Sequence, residues 1–427
     1  MTLQIKLSDL YLIDKEKLSV ALFYIGMLIA FLGSLNPWFL WPVGSNYPVL
    51  ACLFLVPSYL LSRTLETPIF SRTDFVLPII SFLLFALYER FSIESNINGY
   101  VMLLFRLTIF YCLFRISTDR LQKFMTFGCK VMGVLLLASL IGYFLFLFGF
   151  PLPGRDAQFG EFYSYTNYYL FLLDDRNLFA IFSRFNSYFL EPSHIGTAAA
   201  FLLFTQRGQW RKWYNIVLLV TVFFTFSLGA YIYLVAIVFL NLWISGKRFW
   251  GKLIVTLGGL GVATLTTFTY NNGENLVHDL IMLRLETDDG ELAGDNRVTG
   301  DFDADYDNFV ESSDIFFGRH FEVTEFGNAG YKVFFYENGL VGIILLFAFY
   351  FISMMYTTNK RAFISVLIVS ILYFIPSAIM LWENIFFPLY ATAYLGLSTS
   401  SQNTIQGGDE PLQHPAYSKT NTDNDER

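Results

Sequence analysis

The chain has 427 residues, of which 55% are hydrophobic and 19% aromatic, and its formal net charge is −7. Soluble globular domains contain about 45–50% apolar residues, so this composition argues against a soluble protein. The acidic balance argues against a nucleic-acid partner. Three scattered cysteines without CxxC or metal-ligand spacing predict buried thiols and no metal site.

Apolar runs recur along the chain at roughly the 15–20 residues that cross a ~30 Å hydrocarbon core as a helix. We therefore predict an all-α, polytopic transmembrane helix bundle of about twelve spans, with the first run retained as a span and not cleaved as a signal peptide. The predicted spans are 18–35, 48–62, 75–89, 99–115, 131–150, 192–206, 213–227, 229–245, 252–270, 332–356, 362–380 and 383–398.

Lysine and arginine are concentrated in alternate short loops, which predicts the orientation of the spans. The basic loops all fall on one side if the run 214–244 is divided at Ser227-Leu228-Gly229 into two helices. Both termini of the membrane domain, 1–398, are then cytoplasmic, and the polar tail 399–427 is expected to be disordered. Two long polar segments, 151–191 and 271–331, lie on the opposite face.

The first external segment ends in a group of residues suited to an anion. It reads Arg184-Phe-Asn-Ser-Tyr-Phe-Leu-Glu191-Pro192-Ser193-His194. Proline suits the first turn of a helix, and a helix start favours a negative charge. Arg184 can bind a phosphate through two parallel hydrogen bonds. The alternative is that Arg184 and Glu191 form an ion pair that holds the loop.

The second external segment holds fifteen acidic residues and three arginines between Glu274 and Glu325. Arg297 and Arg319 are candidates for anion binding, although neutralisation of nearby acids explains them equally. The repeat Asp301-Phe-Asp303-Ala-Asp305-Tyr-Asp307 lacks the glycine and the final glutamate of a calcium loop, so we interpret it as a solvated acidic loop.

Three further ionisable or polar groups lie at or within predicted spans. Tyr336 and Glu337 begin a span, where Glu337 can accept a proton from a sugar hydroxyl or serve as a headgroup-level anchor. Arg106 lies in the middle of a span, where burial in lipid costs ~2.5–3.5 kcal/mol or more. Arg106 therefore faces either an anionic ligand or an intramembrane partner.

These segments, in this order, resemble the O-antigen polymerase/ligase superfamily of membrane glycosyltransferases. That family shows an Arg-x-x-[Gly/Ser]-x-Phe-x-[Glu/His]-Pro-Asn-like segment, a small-residue turn, and a large external loop with an arginine and a glycine patch. The loop ends in a His-Asn-like pair and Gly-x-x-Gly. The matching residues, within about 130–345, are Arg184 to His194, Ser227-Leu228-Gly229, Phe317-Gly318-Arg319-His320, and Gly339 with Gly342.

The resemblance implies a polysaccharide repeat-unit polymerase at the outer face of a bacterial inner membrane, acting without a cofactor. Its donor and acceptor are glycans on undecaprenyl pyrophosphate, and its partners include membrane lipids and a chain-length regulator protein. The arginines expected to stabilise the departing pyrophosphate are Arg184, Arg297 and Arg319. The residues expected to transfer protons or position the acceptor are Glu191, His194, His320 and Glu337.

We expect Arg106, Asn328 and Tyr336 to contact substrate. Asn328 stands where the ligase branch of the superfamily places a histidine as its proposed general base. Because asparagine cannot take a proton at neutral pH, a ligase is the weaker interpretation. A lipid-linked oligosaccharide flippase, which has a similar number of spans, is the alternative outside glycosyl transfer.

Overall fold

A computed structural model shows a mostly helical chain. It describes residues 15–62, 76–88, 97–116, 118–160, 163–174, 183–245, 248–273, 275, 278, 287–288, 291–292, 300–320, 330–355, 360–375 and 383–392. The helices are α1 (Lys15–Leu35), α2 (Tyr47–Ser62), α3 (Val76–Tyr88), α4 (Ile97–Phe114), α5 (Thr118–Leu147), α6 (Pro192–Thr205), α7 (Trp213–Phe224), α8 (Leu228–Ser245), α9 (Phe249–Thr269), α10 (Gly300–Val310), α11 (Gly330–Met355), α12 (Lys360–Phe374) and α13 (383–392).

Within the described residues, five helical segments are long and apolar enough to cross a membrane. They are Lys15–Leu35, Gly44–Ser62, Asp119–Leu147, Phe249–Thr269 and Gly330–Ile352. Four shorter apolar helices lie within α4, α7, α8 and α12. Each predicted span coincides with a helix, although α5 begins thirteen residues before the predicted 131 because the basic stretch ahead of it is also helical. The chain is a helical membrane protein.

The first two helices pack closely because small residues face large ones. A Cβ added to Gly33 would lie 2.3 Å from Tyr47 Cγ, and one added to Gly26 would lie 2.7 Å from Leu55 Cγ. Small residues of this kind let two helix backbones approach within a membrane. The helices turn through two short 3₁₀ segments, Trp38–Leu40 and Gly44–Asn46.

The polar segment 151–191 contains a small sheet that the all-α prediction did not include. Its strands are β1 (Arg155–Phe159), β2 (Tyr163–Asn167) and β3 (Leu172–Asp174), paired antiparallel in that order. A second, two-stranded sheet joins β4 (Thr287–Asp288) to β5 (Glu291–Leu292). The runs are too short for an alternating pattern to stand out in the sequence.

The aspartate repeat, which we interpreted as a solvated acidic loop, lies in helix α10. Phe302, Tyr306 and Phe309 recur at the spacing of one helix face. Phe302 and Phe309 are buried against Val333 and Tyr336 at the start of α11, with Tyr306 packed beside them. The apolar face therefore docks this acidic helix on the membrane domain.

Two interruptions divide long apolar runs. The first separates α7 from α8 at residues 225–227, close to the predicted division, and Phe226 there has a left-handed φ of 44°. The second lies inside α11, where Gly339 has φ 63° and ψ −167°. Only glycine adopts that second conformation readily, which accounts for the residue type.

The interruption in α11 predicts a strong effect of Gly318→Ala. Gly318 has a φ of 78°, and a Cβ there would lie 2.3 Å from the Glu337 carbonyl group. We expect the free energy of unfolding to fall by more than ~2 kcal/mol. The new side chain strains the left-handed backbone at 318, and the backbone at Glu337 must also move to make room for it. The control is Gly160→Ala, which has a φ of 62° and no atom within 4 Å; it should cost about 1 kcal/mol.

The measurement is the thermal unfolding midpoint of the full-length protein purified in detergent. Equal shifts of the unfolding midpoint for the two variants would show that the close approach of residue 318 to residue 337 does not contribute to the effect of Gly318→Ala.

Candidate functional site

The segment 183–191 is held beneath the small sheet and mostly buried. The Leu172 N–H of β3 donates to the Ser187 carbonyl at 2.7 Å, and the Trp38 N–H donates to the Tyr188 carbonyl at 2.9 Å. The backbone of the segment is therefore hydrogen-bonded on one side to β3 and on the other to the turn between α1 and α2. This arrangement holds the predicted Arg184–His194 motif in one conformation.

Arg184 lies at the interruption between α7 and α8. Its Nε donates to the Thr225 carbonyl at 3.1 Å, and the Phe185 N–H donates to the Phe224 carbonyl at 2.9 Å. Both carbonyls belong to the last turn of a helix, which has no intrahelical donors left for them. Arg184 is also close enough to the Tyr231 phenol to interact with it electrostatically. The charge therefore sits at one end of α7 and α8.

Glu191 collects three polar partners at the start of α6. It is the N-terminal cap residue, followed by Pro192 at the first helical position. Its Oε1 accepts from Tyr163 Oη at 2.7 Å and its Oε2 from Ser193 Oγ at 2.8 Å. His194 Nε2 lies 4.0 Å from the same Oε2. The sequence had not indicated Tyr163, because a tyrosine in an irregular loop has no distinctive pattern.

The Glu191 and His194 side chains are both accessible, with 35% and 30% of their surfaces exposed. A carboxylate and an imidazole in this arrangement can pass a proton between a substrate hydroxyl and solvent. Arg184 and Glu191 each have their own partners, on α7 and on the sheet respectively. The described contacts thus explain how both residues are held without invoking an ion pair between them.

An apolar groove of about 660 Å³ lies between α7, α8 and α9. Its lining includes Trp210, before α7, and Phe226, after it. Leu219, Phe223 and Leu260 lie along it. Its Phe226 end is at the interruption where Arg184 bonds to the neighbouring Thr225. The apolar groove thus ends beside the positive charge of Arg184.

Arg319 belongs to a second arrangement, built on α10 and α11. Its Nη2 donates to the Asp305 carbonyl at 3.1 Å, and its Nη1 lies 3.6 Å from Asp305 Oδ1. The guanidinium lies over the rings of Tyr336 and Phe309, at 5.0 and 5.4 Å from their centroids. The Tyr336 hydroxyl donates to Asp305. These contacts match the neutralising role that the sequence left open for Arg319.

The residues around Arg319 meet the interruption in α11. The Arg319 N–H donates to the Tyr336 carbonyl at 2.8 Å, and Glu337 follows directly. A continuous helix would have paired that carbonyl with the N–H four residues later, beyond Gly339. His320 is exposed at the end of this segment. Arg319 and Tyr336 are therefore brought together, with His320 and Glu337 as their neighbours in the chain, in a different part of the chain from Arg184 and Glu191.

Arg106 has intramembrane partners, as one of the two sequence interpretations required. The Tyr47 hydroxyl donates to Glu383 Oε2 at 2.8 Å. Arg106 hydrogen-bonds the same phenol and interacts with it electrostatically. Glu383 is fully buried. Glu383 begins the last predicted span, and an acidic residue at such a position is a signal for an intramembrane partner. The charge pattern alone did not single it out.

Arg297 and Asn328, two of the predicted site residues, lie outside the described residues. Cys52, Cys112 and Cys129 are buried and free, as predicted. Among the residues that the structure describes, no three His, Cys, Asp or Glu side chains come together as metal ligands.

Comparison of the chain with protein-family models, with curated proteins and with solved structures finds no significant match.

The contacts of Arg106 and Glu383 with the same phenol predict that the stability effects of removing the two charges are strongly coupled. Glu383→Leu leaves a guanidinium without its buried counter-charge, and we expect it to cost about 3 kcal/mol or more. Arg106→Met should cost a similar amount. The double variant should lose much less than the two together, because it removes both charges.

A double-mutant cycle on unfolding midpoints measures this coupling, with the exposed Glu311→Gln as a control for loss of an acid. Additive losses would show that the two charges do not act on each other.

Proposed function

We propose that this protein is a polysaccharide repeat-unit polymerase that joins glycans carried on undecaprenyl pyrophosphate. In this proposal twelve spans cross a bacterial inner membrane, both termini are cytoplasmic, and the reaction takes place at the outer face. The motif order in the sequence supports the proposal, and the described geometry adds the observation that carries it.

That observation is the groove between α7, α8 and α9, together with the arginine at its end. A polyprenyl pyrophosphate is a long apolar chain attached to a strongly anionic group. The groove offers apolar and aromatic lining from the second half of α7, from α8 and from α9. Arg184 is bonded to Thr225, the residue between groove-lining Phe224 and Phe226. The charge and the apolar surface thus match the two halves of such a donor.

The proposed reaction breaks the bond between the donor's anomeric carbon and the pyrophosphate oxygen. The acceptor's hydroxyl oxygen forms the new bond to that carbon, and its proton passes to Glu191 or His194. Negative charge develops on the departing pyrophosphate, where a positioned guanidinium stabilises it. Arg184 is assigned this role, with Tyr163 and Ser193 holding the Glu191 carboxylate in place.

The second arrangement is assigned to loop positioning in this proposal. Arg319 is bound to Asp305 and stacked on two rings, so its contacts attach α10 to α11. Arg297 is retained as a second stabiliser of the leaving group, and Asn328 as an acceptor contact. Glu337 and His320 remain candidates for contact with the acceptor.

The flippase and the ligase differ from the polymerase in their chemistry. A flippase moves a lipid-linked glycan across the bilayer and needs no residue for proton transfer. The hydroxyl-bound carboxylate and neighbouring imidazole at Glu191 and His194 favour glycosyl transfer over transport. A ligase uses lipid A–core as acceptor, and Asn328 in place of its histidine disfavours it.

The proposed role of Arg184 predicts a loss of polymerisation in Arg184→Ala. Removing one group that stabilises developing charge typically lowers kcat by about 10²–10³-fold. We expect single-repeat glycolipid to accumulate and the long-chain ladder to disappear on electrophoresis of surface glycan.

The matched control is Arg155→Ala, an exposed arginine of the same external segment that stacks over Trp38 and Tyr169. It should retain the ladder. A wild-type ladder in Arg184→Ala, with the protein present at normal level in the membrane, would contradict the assignment.

The groove predicts a separate effect on donor affinity. Leu260→Trp places a bulky ring in the groove, so we expect about tenfold weaker use of the lipid-linked donor, seen as a higher KM. Leu257→Trp is its control, since Leu257 lies on the same helix and is 56% exposed but does not line the groove.

Donor titration in a purified detergent assay measures both variants. If the two tryptophans have the same effect, the groove does not hold the donor's chain.

A further inference from the structure

A second cavity, of about 460 Å³, lies where three helix ends meet. It is formed by the end of α8, the start of α9 and the start of α12. Its lining is Trp243, Arg248, Phe249, Trp250, Gly251 and Arg361. Two arginines and three aromatic rings therefore share one small space at the ends of apolar helices.

The two arginines come from different helices and are placed by the backbone. Arg361 Nη1 donates to the Trp243 carbonyl at 3.3 Å, which holds its guanidinium against the end of α8. Arg248 is the cap residue of α9, with a left-handed φ of 51°. Both residues are exposed to the surroundings. Their charges add to the partial positive charge of the first turn of α9, which forms one wall.

The aromatic residues are those expected at the level of lipid headgroups. Trp250 is 73% exposed, and its ring lies 5.2 Å from that of Phe249. Tryptophan is enriched at membrane–water interfaces because its ring is apolar and its N–H is polar. A cavity of this composition favours a ligand with an anionic head and a neighbouring apolar part.

The surface next to the cavity offers space for acyl chains. No described side chain in the apolar window of α9 is buried. Ile254 and Val255 follow the cavity along this helix and are 69% and 75% exposed. An acyl chain extending from the cavity thus meets apolar side chains, whereas free phosphate gains nothing from them.

We infer that this cavity binds the headgroup of an anionic phospholipid. The phosphodiester lies between Arg248 and Arg361, and the acyl chains lie along α9. Basic pockets between transmembrane helices are suited to such headgroups. The site is at a different end of the helices from Arg184, so it does not depend on the proposed catalytic function.

The test uses the full-length protein in detergent after removal of native lipid. Native mass spectrometry gives the affinity for phosphatidylglycerol, phosphatidylcholine and inorganic phosphate. Each basic residue near a membrane surface contributes about a fivefold gain for anionic lipid, so we expect the Arg248→Gln/Arg361→Gln variant to bind phosphatidylglycerol roughly 25-fold more weakly.

The matched control is Lys130→Gln/Arg211→Gln, which removes the same charge from two exposed residues on other elements, outside the cavity lining. It should change the affinity less than about threefold, since those charges act only at long range. The variant Arg248→Lys/Arg361→Lys should retain an intermediate affinity, which separates loss of charge from misfolding.

Three outcomes would overturn the inference. One is equal phosphatidylglycerol affinity in the arginine and control variants. Another is equal affinity of the native protein for phosphatidylcholine, which would remove the role of charge. The third is inorganic phosphate binding as tightly as the phospholipid, which would make the cavity a site for a free anion.

Discussion

Carbonyl groups freed by two helix interruptions bind the segments that carry Arg184 and Arg319. A helix end leaves its last carbonyl groups without intrahelical donors, so groups from elsewhere in the chain bond them. At the end of α7, Arg184 and the Phe185 N–H supply the donors. At the interruption in α11, the Arg319 N–H bonds the Tyr336 carbonyl. Each of the two segments is thus joined to the helices where a helix is interrupted.

This constraint also explains why charged residues collect at the interruptions. A segment that donates to a helix end brings its side chains there with it. At the first interruption the Arg184 guanidinium lies beside an apolar groove. Glu191, which follows in the same segment, accepts hydrogen bonds from Tyr163 and Ser193. At the second, Asp305 binds the guanidinium and an aromatic cluster surrounds it. The two attachments are similar, but Arg184 and Arg319 have different side-chain surroundings.

Sequence reasoning predicted the helices well because hydrophobic runs and charge alternation are local signals. It also placed the division between α7 and α8 close to its observed position. It missed the helix α10, although Phe302, Tyr306 and Phe309 carry its period, because the acidic residues around them dominated the interpretation. The partners of Arg106, and the partner Tyr163 of Glu191, come from distant parts of the chain, and no local pattern joins them.

The central claim is that the protein itself joins lipid-linked repeat units. The most direct measurement reconstitutes the purified chain in liposomes with undecaprenyl-pyrophosphate-linked repeat unit as the only glycan. The account predicts glycan chains of several repeats and release of undecaprenyl pyrophosphate. Movement of the glycolipid between leaflets without any joined product would contradict it.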